Sequence, residues 1–434
     1  MGRILAFLFS VCALVTLSSI DAAAGEARVI TVDEAVAMAI AQNASLQAAR
    51  ARLEAGQAAA SSTARRLAPA IHLSDEYQHY NDAFIVPMGG GAVFPVRKQD
   101  TNLFTVAADQ PLLGLLRLSA DYESQQKGSE AGAAQVQSAE LSLRQAVETL
   151  YLRVFEAKAL EGTALASERE LNDRLEVARA QLTTGVLTEA DVLRVQVAAA
   201  NARQQAIQAH SQELVSRAGL LALMGLPADD AGVTFVEPKS LLESGQKRPE
   251  PAAAQDQALS GRPEILQTRL SLEAGEHQRR ARLYALLPEI DLEGAYLRSY
   301  GQIVLPTNSE FVGINAKWAI WEWGASYAAY RASQAQARAA AFDLESQKQQ
   351  VRAEVTSGMA QLDAAASAIS VAEQTIASAE EAYRVTQAQL QAGTATTTDL
   401  LEAQSALTQS RLNYLRAQYE LAISRVNLRR ALGR

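Results

Sequence analysis

The sequence predicts a mainly α-helical chain with a small β part, built from one unit used twice. Three observations predict it. The eleven prolines leave residues 112–226 and 307–434 free of proline. Both stretches are rich in Ala, Gln, Glu, Leu and Arg, which cost little in a helix. Finally, Ala180-Gln181-Leu182, Gly185, Thr188, Asp191, Leu193 and Gln196 recur as Ala388-Gln389-Leu390, Gly393, Thr396, Asp399, Leu401 and Gln404, at a constant offset of 208 that holds to Gly225 and Gly433.

The repeat extends upstream. Leu53-Glu54-Ala55-Gly56 recurs as Leu272-Glu273-Ala274-Gly275, and Pro69, Ile71, Leu73 and Tyr77 as Pro288, Ile290, Leu292 and Tyr296, here at an offset of 219. The first copy therefore carries extra residues around 81–100. A change of length with register kept on both sides marks an exposed loop. Each unit reads helix, strand, loop, strand, long helix, tight turn, helix. Residues 1–24 are expected to be a signal peptide, 25–226 the first repeat and 251–434 the second, with a linker over 227–250.

Arg3, the apolar run Ile4 to Leu17 and the small residues Ala22-Ala23-Ala24 form an export signal whose apolar run is too short to span a bilayer. The only cysteine, Cys12, lies inside it, preceded by Phe9-Ser10-Val11. That is unlike a lipoprotein site, so no lipid anchor is expected. The first helix opens at Thr31-Val32-Asp33-Glu34, a capping box. Strand alternation follows. Ile71, Leu73 and Tyr77 alternate with His72, Ser74, Glu76 and Gln78, in a hairpin spanning about 70–110. Ile290, Leu292, Gly294 and Tyr296 alternate with Asp291 and Glu293, in a second hairpin over about 289–321. Return strands are expected at Asn102–Gln110 and Glu310–Ile320.

Strands of about ten residues with one apolar side fit a transmembrane barrel, and they equally fit a soluble hairpin with one buried face. Trp318, Trp321 and Trp323 cluster where the fourth strand ends, as an interfacial aromatic belt would; a helix–sheet core is the competing place for them. Four strands cannot close a barrel. Two chains would give eight strands and a filled bore, three would give twelve and room for a lumen. A helix from Arg117 to Leu182 would be on the order of 100 Å long, which implies antiparallel coiled-coil packing. In the last helix Leu400, Leu407, Tyr414, Leu421 and Leu428 recur every seven residues, with small residues Ala403, Ser410, Ala417, Ser424 and Ala431 three positions on. Such a double stripe lets helices approach closely over many turns.

The formal net charge of −8 argues against a nucleic-acid partner, which requires a basic face. His72, His79, His210 and His277 have no metal-ligand spacing, and no phosphate loop or nucleophile elbow is present. No enzyme activity and no cofactor are expected.

Five segments carry a family likeness: Thr31-Val32-Asp33-Glu34-Ala35-Val36 with Asn43; Gln110-Pro111-Leu112-Leu113 with Leu115; Gly185 to Leu193; Gly393 to Leu401; and Ala431-Leu432-Gly433. With them the chain after residue 24 resembles the TolC-like outer membrane efflux proteins (outer membrane factors). The resemblance implies a homotrimer with a shared twelve-stranded β-barrel in the outer-membrane lipid of a Gram-negative cell. It also implies a trimeric helical tube through the periplasm, with the linker at its equator. A periplasmic adaptor (membrane fusion protein) would connect it to an inner-membrane pump of RND, ABC or MFS type. The function implied is a passive channel for efflux or type I secretion. A soluble periplasmic coiled-coil scaffold or adaptor is the rival reading.

Under this likeness Thr184, Gly185, Val186, Leu187 and Thr188, with Ala392, Gly393, Thr394, Ala395 and Thr396, resemble tips that meet the adaptor. A plain helix–turn–helix connection competes for each. Asp399 and Glu402 share a helix face and match the family's acidic constriction; in a trimer they would form a carboxylate ring, a device that attracts cations. Thr396 with Asp399, and Thr188 with Asp191, also look like capping boxes. Asp191 is the weaker gate candidate because Arg194 follows it. Leu390 and Ala395 offer no polar group to latch a closed tip.

Overall fold

The computed structural model describes residues 28–243 and 249–434. The expected signal peptide, Cys12 and part of the linker lie outside the described residues. A short strand β1 (Arg28–Ile30) leads into α1 (Val32–Gln42). The Thr31 capping box is formed, with the Thr31 side chain accepting from the Glu34 amide and Glu34 returning to the Thr31 amide. The single first helix expected in each unit is broken in two. Asn43 ends α1 and caps α2 (Ala44–Arg65), accepting from the amides of Ser45 and Leu46. In the second unit α6 (Pro251–Gly261) and α7 (Pro263–Tyr284) are divided at Arg262, because a proline at 263 disfavours the helical conformation in the residue before it.

Between these lie β2 (Ala70–His79), β3 (Phe84–Met88), β4 (Ala92–Pro111), α3 (Gly114–Thr183), α4 (Glu189–Leu223), β5 (Val233–Phe235) and α5 (Lys239–Leu242). After α7 come β6 (Glu289–Gln302), β7 (Asn308–Lys317), α8 (Ala325–Gln391) and α9 (Thr397–Ala431). The helices of 70 and 67 residues each span about 100 Å at 1.5 Å per residue. They run antiparallel to their partners, α3 against α4 and α7, and α8 against α9 and α7.

One antiparallel sheet joins both hairpins in the order β2-β4-β6-β7, with β3 paired to the far half of β4. Two strand limits differ from expectation. The return strand of the first hairpin starts at Ala92, and the extra residues around 81–100 form a β-hairpin extension rather than an irregular loop. Its β-branched and aromatic residues pair across Gly89-Gly90-Gly91, while Pro87 and Pro95 occupy edge positions where no ladder donor is needed. In the second hairpin β7 ends at Lys317, so Ile320 lies beyond the strand.

Midway along the helices, β1 and β5 pair in parallel. They cover a core of Val36, Val147, Leu152, Leu220, Met224 and Val426. The fully buried Tyr151 hydroxyl lies 2.9 Å from the Ile30 carbonyl and 2.6 Å from that of Val236. Burial pushes its pKa up to about 12. In α9 the small stripe Ser410, Ala417, Ser424 and Ala431 is buried, as are Leu400, Leu407 and Leu428, whereas Tyr414 and Leu421 are half-buried.

Candidate functional site: sheet faces and helix tips

The pairing register fixes which side chains share a sheet face. Ile71, Leu73, Val106, Ala108, Leu292, Gly294, Val312 and Ile314 share one. It is uncovered: Ile71 is 75% exposed and Val312 82%. The opposite face carries His72, Ser74, Glu76, Thr105, Asp109, Asp291, Glu293 and Asn315. Its His72, Asp109, Asp291 and Glu293, with Arg65 and Arg117 from the helix ends, border a concavity of about 1040 Å³ that Ala107, Ala295 and Phe311 also line. His72 pairs with Asp109 there at 2.8 Å. An uncovered apolar outer face and a polar concave one invert the arrangement of a soluble sheet, which turns its apolar face inward. They match a lipid-facing barrel wall. Farther from the helices the outer face turns polar. The Tyr77 hydroxyl donates to Asp100, His79 lies 2.7 Å from the same carboxylate, and Asn102 donates to Asp75.

All three tryptophans follow β7 at the helix-proximal edge of the sheet and are exposed. Trp321 and Trp323 meet edge to face at 5.7 Å. Trp323 (φ 53°) and Gly324 (φ 79°) both take left-handed backbone, which turns the chain sharply into α8.

The two tips lie at the other end and are near copies. Gly185 (φ 75°) and Gly393 (φ 72°) end their helices in the left-handed conformation. Val186 donates to Gln181 and Gly185 to Leu182; Thr394 donates to Gln389 and Gly393 to Leu390. This is the double closure that lets a helix stop within one residue. Thr188 and Thr396 then cap the next helices, each in a reciprocal box with the Asp three residues on. Thr184, Gly185, Val186 and Thr188 are exposed and Leu187 half-buried; Ala392, Gly393, Thr394 and Thr396 are exposed and Ala395 half-buried. Leu401 packs against Leu175, Ala178, Val192 and Val195, which sets the tips side by side.

The acids differ between tips. At the first, Asp191 also meets Arg194 at 3.2 Å. Hydrogen bonds from the Thr188 hydroxyl and amide, with Arg194 adding to them, hold its carboxyl below the usual range. At the second, the Thr396 amide and hydroxyl donate to Asp399 Oδ2 at 2.8 and 2.7 Å, and these bonds lower the Asp399 pKa. Asp399 and Glu402 are exposed, with no cation within 4 Å of either among the described residues. One contact here was not foreseen. Above the tips Tyr383 of α8 donates to Glu170 of α3 and accepts from Arg174. Its members are 213 and 209 residues apart, so no local pattern signals it.

The family model described as "Outer membrane efflux protein" matches residues 35–226 and 254–434. The chain belongs to this family. Its two matched blocks coincide with the two halves of the repeat. The outer membrane efflux protein BepC of Brucella suis biovar 1 is 25% identical over 296 residues, 68% of this chain and 63% of BepC. The chain thus spans under two thirds of that relative's length. The alkaline protease secretion protein AprF of Pseudomonas aeruginosa is 25% identical over 350 residues, 77% of this chain and 70% of AprF. Among solved structures, the outer membrane protein VceC of Vibrio cholerae superposes with a TM-score of 0.81 at 18% identity, over 93% of this chain and 96% of that one. That likeness concerns the fold.

Proposed function

We propose that this member of the family is a passive exit duct of a tripartite export system, crossing the outer membrane as a barrel and the periplasm as a helical tube. The observation that carries this reading is the inverted sheet, apolar outside and polar on its concave side. Left in water, its uncovered side chains would each forgo about 1.5–3 kcal/mol of burial. Lipid removes that cost and leaves the polar face to line a pore. Four strands on the main path need three chains to close a twelve-stranded barrel with a lumen, hence a homotrimer. The tryptophans then sit at the periplasmic edge of the bilayer as an interface belt.

The tips, residues 183–188 and 392–396, are proposed as the surface that meets a periplasmic adaptor, through which an inner-membrane pump of RND, ABC or MFS type supplies the energy. Asp399 and Glu402 are proposed as the selectivity ring at the periplasmic mouth. Asp191 contributes less, because Arg194 neutralises it. The names of BepC and AprF speak of efflux and of protease secretion respectively, and both are compatible with such a duct.

The test is the mass of detergent-extracted protein from fractionated membranes. A detergent-stable trimer in the outer-membrane fraction is expected. A monomer in the soluble periplasmic fraction would overturn the channel and favour a scaffold. In planar bilayers Asp399→Ala with Glu402→Ala should lower cation preference; unchanged selectivity would remove the ring assignment.

A further inference from the structure

The hairpin formed by β3 and the start of β4 extends past the polar girdle, at the end of the sheet away from the helices. Its counterpart in the second unit is only the short turn between β6 and β7. Val86, Met88 and Phe94 lie on one face, Ile85 and Val93 on the other, and all are 40–60% exposed. A hairpin with one side in water alternates apolar and polar residues. This one is apolar on both, so a partner covering a single face would leave the other in water. An environment apolar on both sides is a lipid leaflet.

The root of the hairpin is cationic. The Arg97 guanidinium lies 3.3 Å from the centre of the Tyr80 ring and the Lys98 ammonium 4.9 Å from that of Tyr300. Neither has a carboxylate within 4 Å among the described residues, and Arg97 Nε is buried without a hydrogen-bond partner. Unpaired basic side chains beside tyrosines, next to an apolar segment, form the pattern of an interfacial anchor. The apolar part enters the acyl region while the cations meet headgroup phosphates. We infer that residues 84–98 are a lipid-engaging arm that turns back at the register breaks at its root, between Phe84 and Ile85 and between Arg97 and Asn102, inserting into the outer leaflet and binding anionic lipid phosphate through Arg97 and Lys98. The inference rests on the membrane-spanning reading of the sheet.

The test uses the full chain with Cys12→Ser, reconstituted into phosphatidylcholine vesicles with or without phosphatidylglycerol. An environment-sensitive label is placed through Val93→Cys on the arm or Val312→Cys on the sheet. Both labels should be quenched by doxyl-lipid and shielded from iodide. The Val93→Cys label should be quenched more when phosphatidylglycerol is present, and Arg97→Glu with Lys98→Glu should abolish that gain. Val312→Cys quenched by lipid while Val93→Cys is reached only by iodide would overturn the arm and leave the barrel standing; three copies folded over the mouth would give that result. Iodide access at both sites would overturn the membrane reading itself. Lipid quenching at Val93→Cys that ignores both phosphatidylglycerol and the charge reversal would remove the phosphate-binding role.

Discussion

The helices and the four main strands of the two halves correspond, yet their polar wiring differs at two places. One is the joint where the first helix of each unit breaks. In the first half that joint is nearly neutral: Asn43 caps α2, and its side-chain amide donates to the Leu223 carbonyl. In the second half the matching positions hold charges. Arg262, 4% exposed, meets Glu264 and Glu354, and Arg430 meets Glu264 as well. Where the second half has Glu264, Glu354 and Arg430, the first has Ser45, Ala146 and Ala222. The other difference is at the tips, where Arg194 stands in the place of Glu402. The lesson is that backbone geometry was kept by both copies through glycines and caps, while charge was free to diverge where it could take on separate tasks.

The joint gives the largest expected effect. Burial pushes Glu264 up, but the Ser138 hydroxyl, its own backbone amide and the Arg262 and Arg430 guanidiniums outweigh this and bring its pKa to about 2, below the ordinary 4.5. A carboxylate whose folded pKa is depressed lends stability at pH above its unfolded value, and that stability is lost as pH falls through the folded one. The window here runs from about 4.5 down to about 2. The contribution is on the order of 3 kcal/mol. Glu264→Gln should cost a similar amount, roughly 3 kcal/mol, by leaving buried guanidiniums without their partner. Thermal loss of helix, followed by circular dichroism in detergent from pH 7 to pH 3, would show a lower midpoint and a flattened acid limb. Ser45→Ala at the matching position of the first half should shift the midpoint far less. Equal shifts would mean that the ionic joint carries no special stability.

The tips supply the middle effect, and here the halves should agree. A Cβ added at Gly185 or Gly393 would meet nothing within 4 Å, so the cost of Gly→Ala is that of left-handed backbone alone, about 1–2 kcal/mol. Local hydrogen exchange at the two turns should speed up by the same factor in Gly185→Ala and Gly393→Ala. A marked inequality would show that one tip is held by something besides its own turn.

Features that depend on neighbours in sequence were legible before any coordinates. The three Thr capping boxes, the glycine three residues before each tip cap and the alternation of Ile71, Leu73 and Tyr77 each involve steps of one to four positions. The sequence sets Arg194 three residues after Asp191, and the ion pair between them is added by the structure. The helix breaks were missed because each hangs on one residue, Asn43 or Pro263. The outer hairpin was hidden by Pro87, Pro95 and three glycines, which read as loop until a pairing partner is known. Trp318, Trp321 and Trp323 were rightly set at the strand end, but the alternation of Val312, Ile314, Ala316 and Trp318 ran on to Ile320, past the point where pairing stops at Lys317. The ionic joint and the Tyr383 cross-link unite residues from distant segments, and nothing local marks them.

The smallest effect on stability should give the sharpest reading of the tips. Arg194→Glu places at the first tip the residue that the second already has. Both positions are exposed, so each substitution should change stability by no more than about 0.5 kcal/mol. The proposed mouth, by contrast, loses one positive charge and gains one negative charge per chain, beside an Asp191 that loses its partner. Reversal potentials in a salt gradient should therefore move toward stronger cation preference in Arg194→Glu and the opposite way in Glu402→Arg. If both tips border the same opening, the double exchange should restore the original value, since the total charge is unchanged. A double variant that stays displaced would place the tips at different distances from the conduction path, with the second tip alone setting its selectivity.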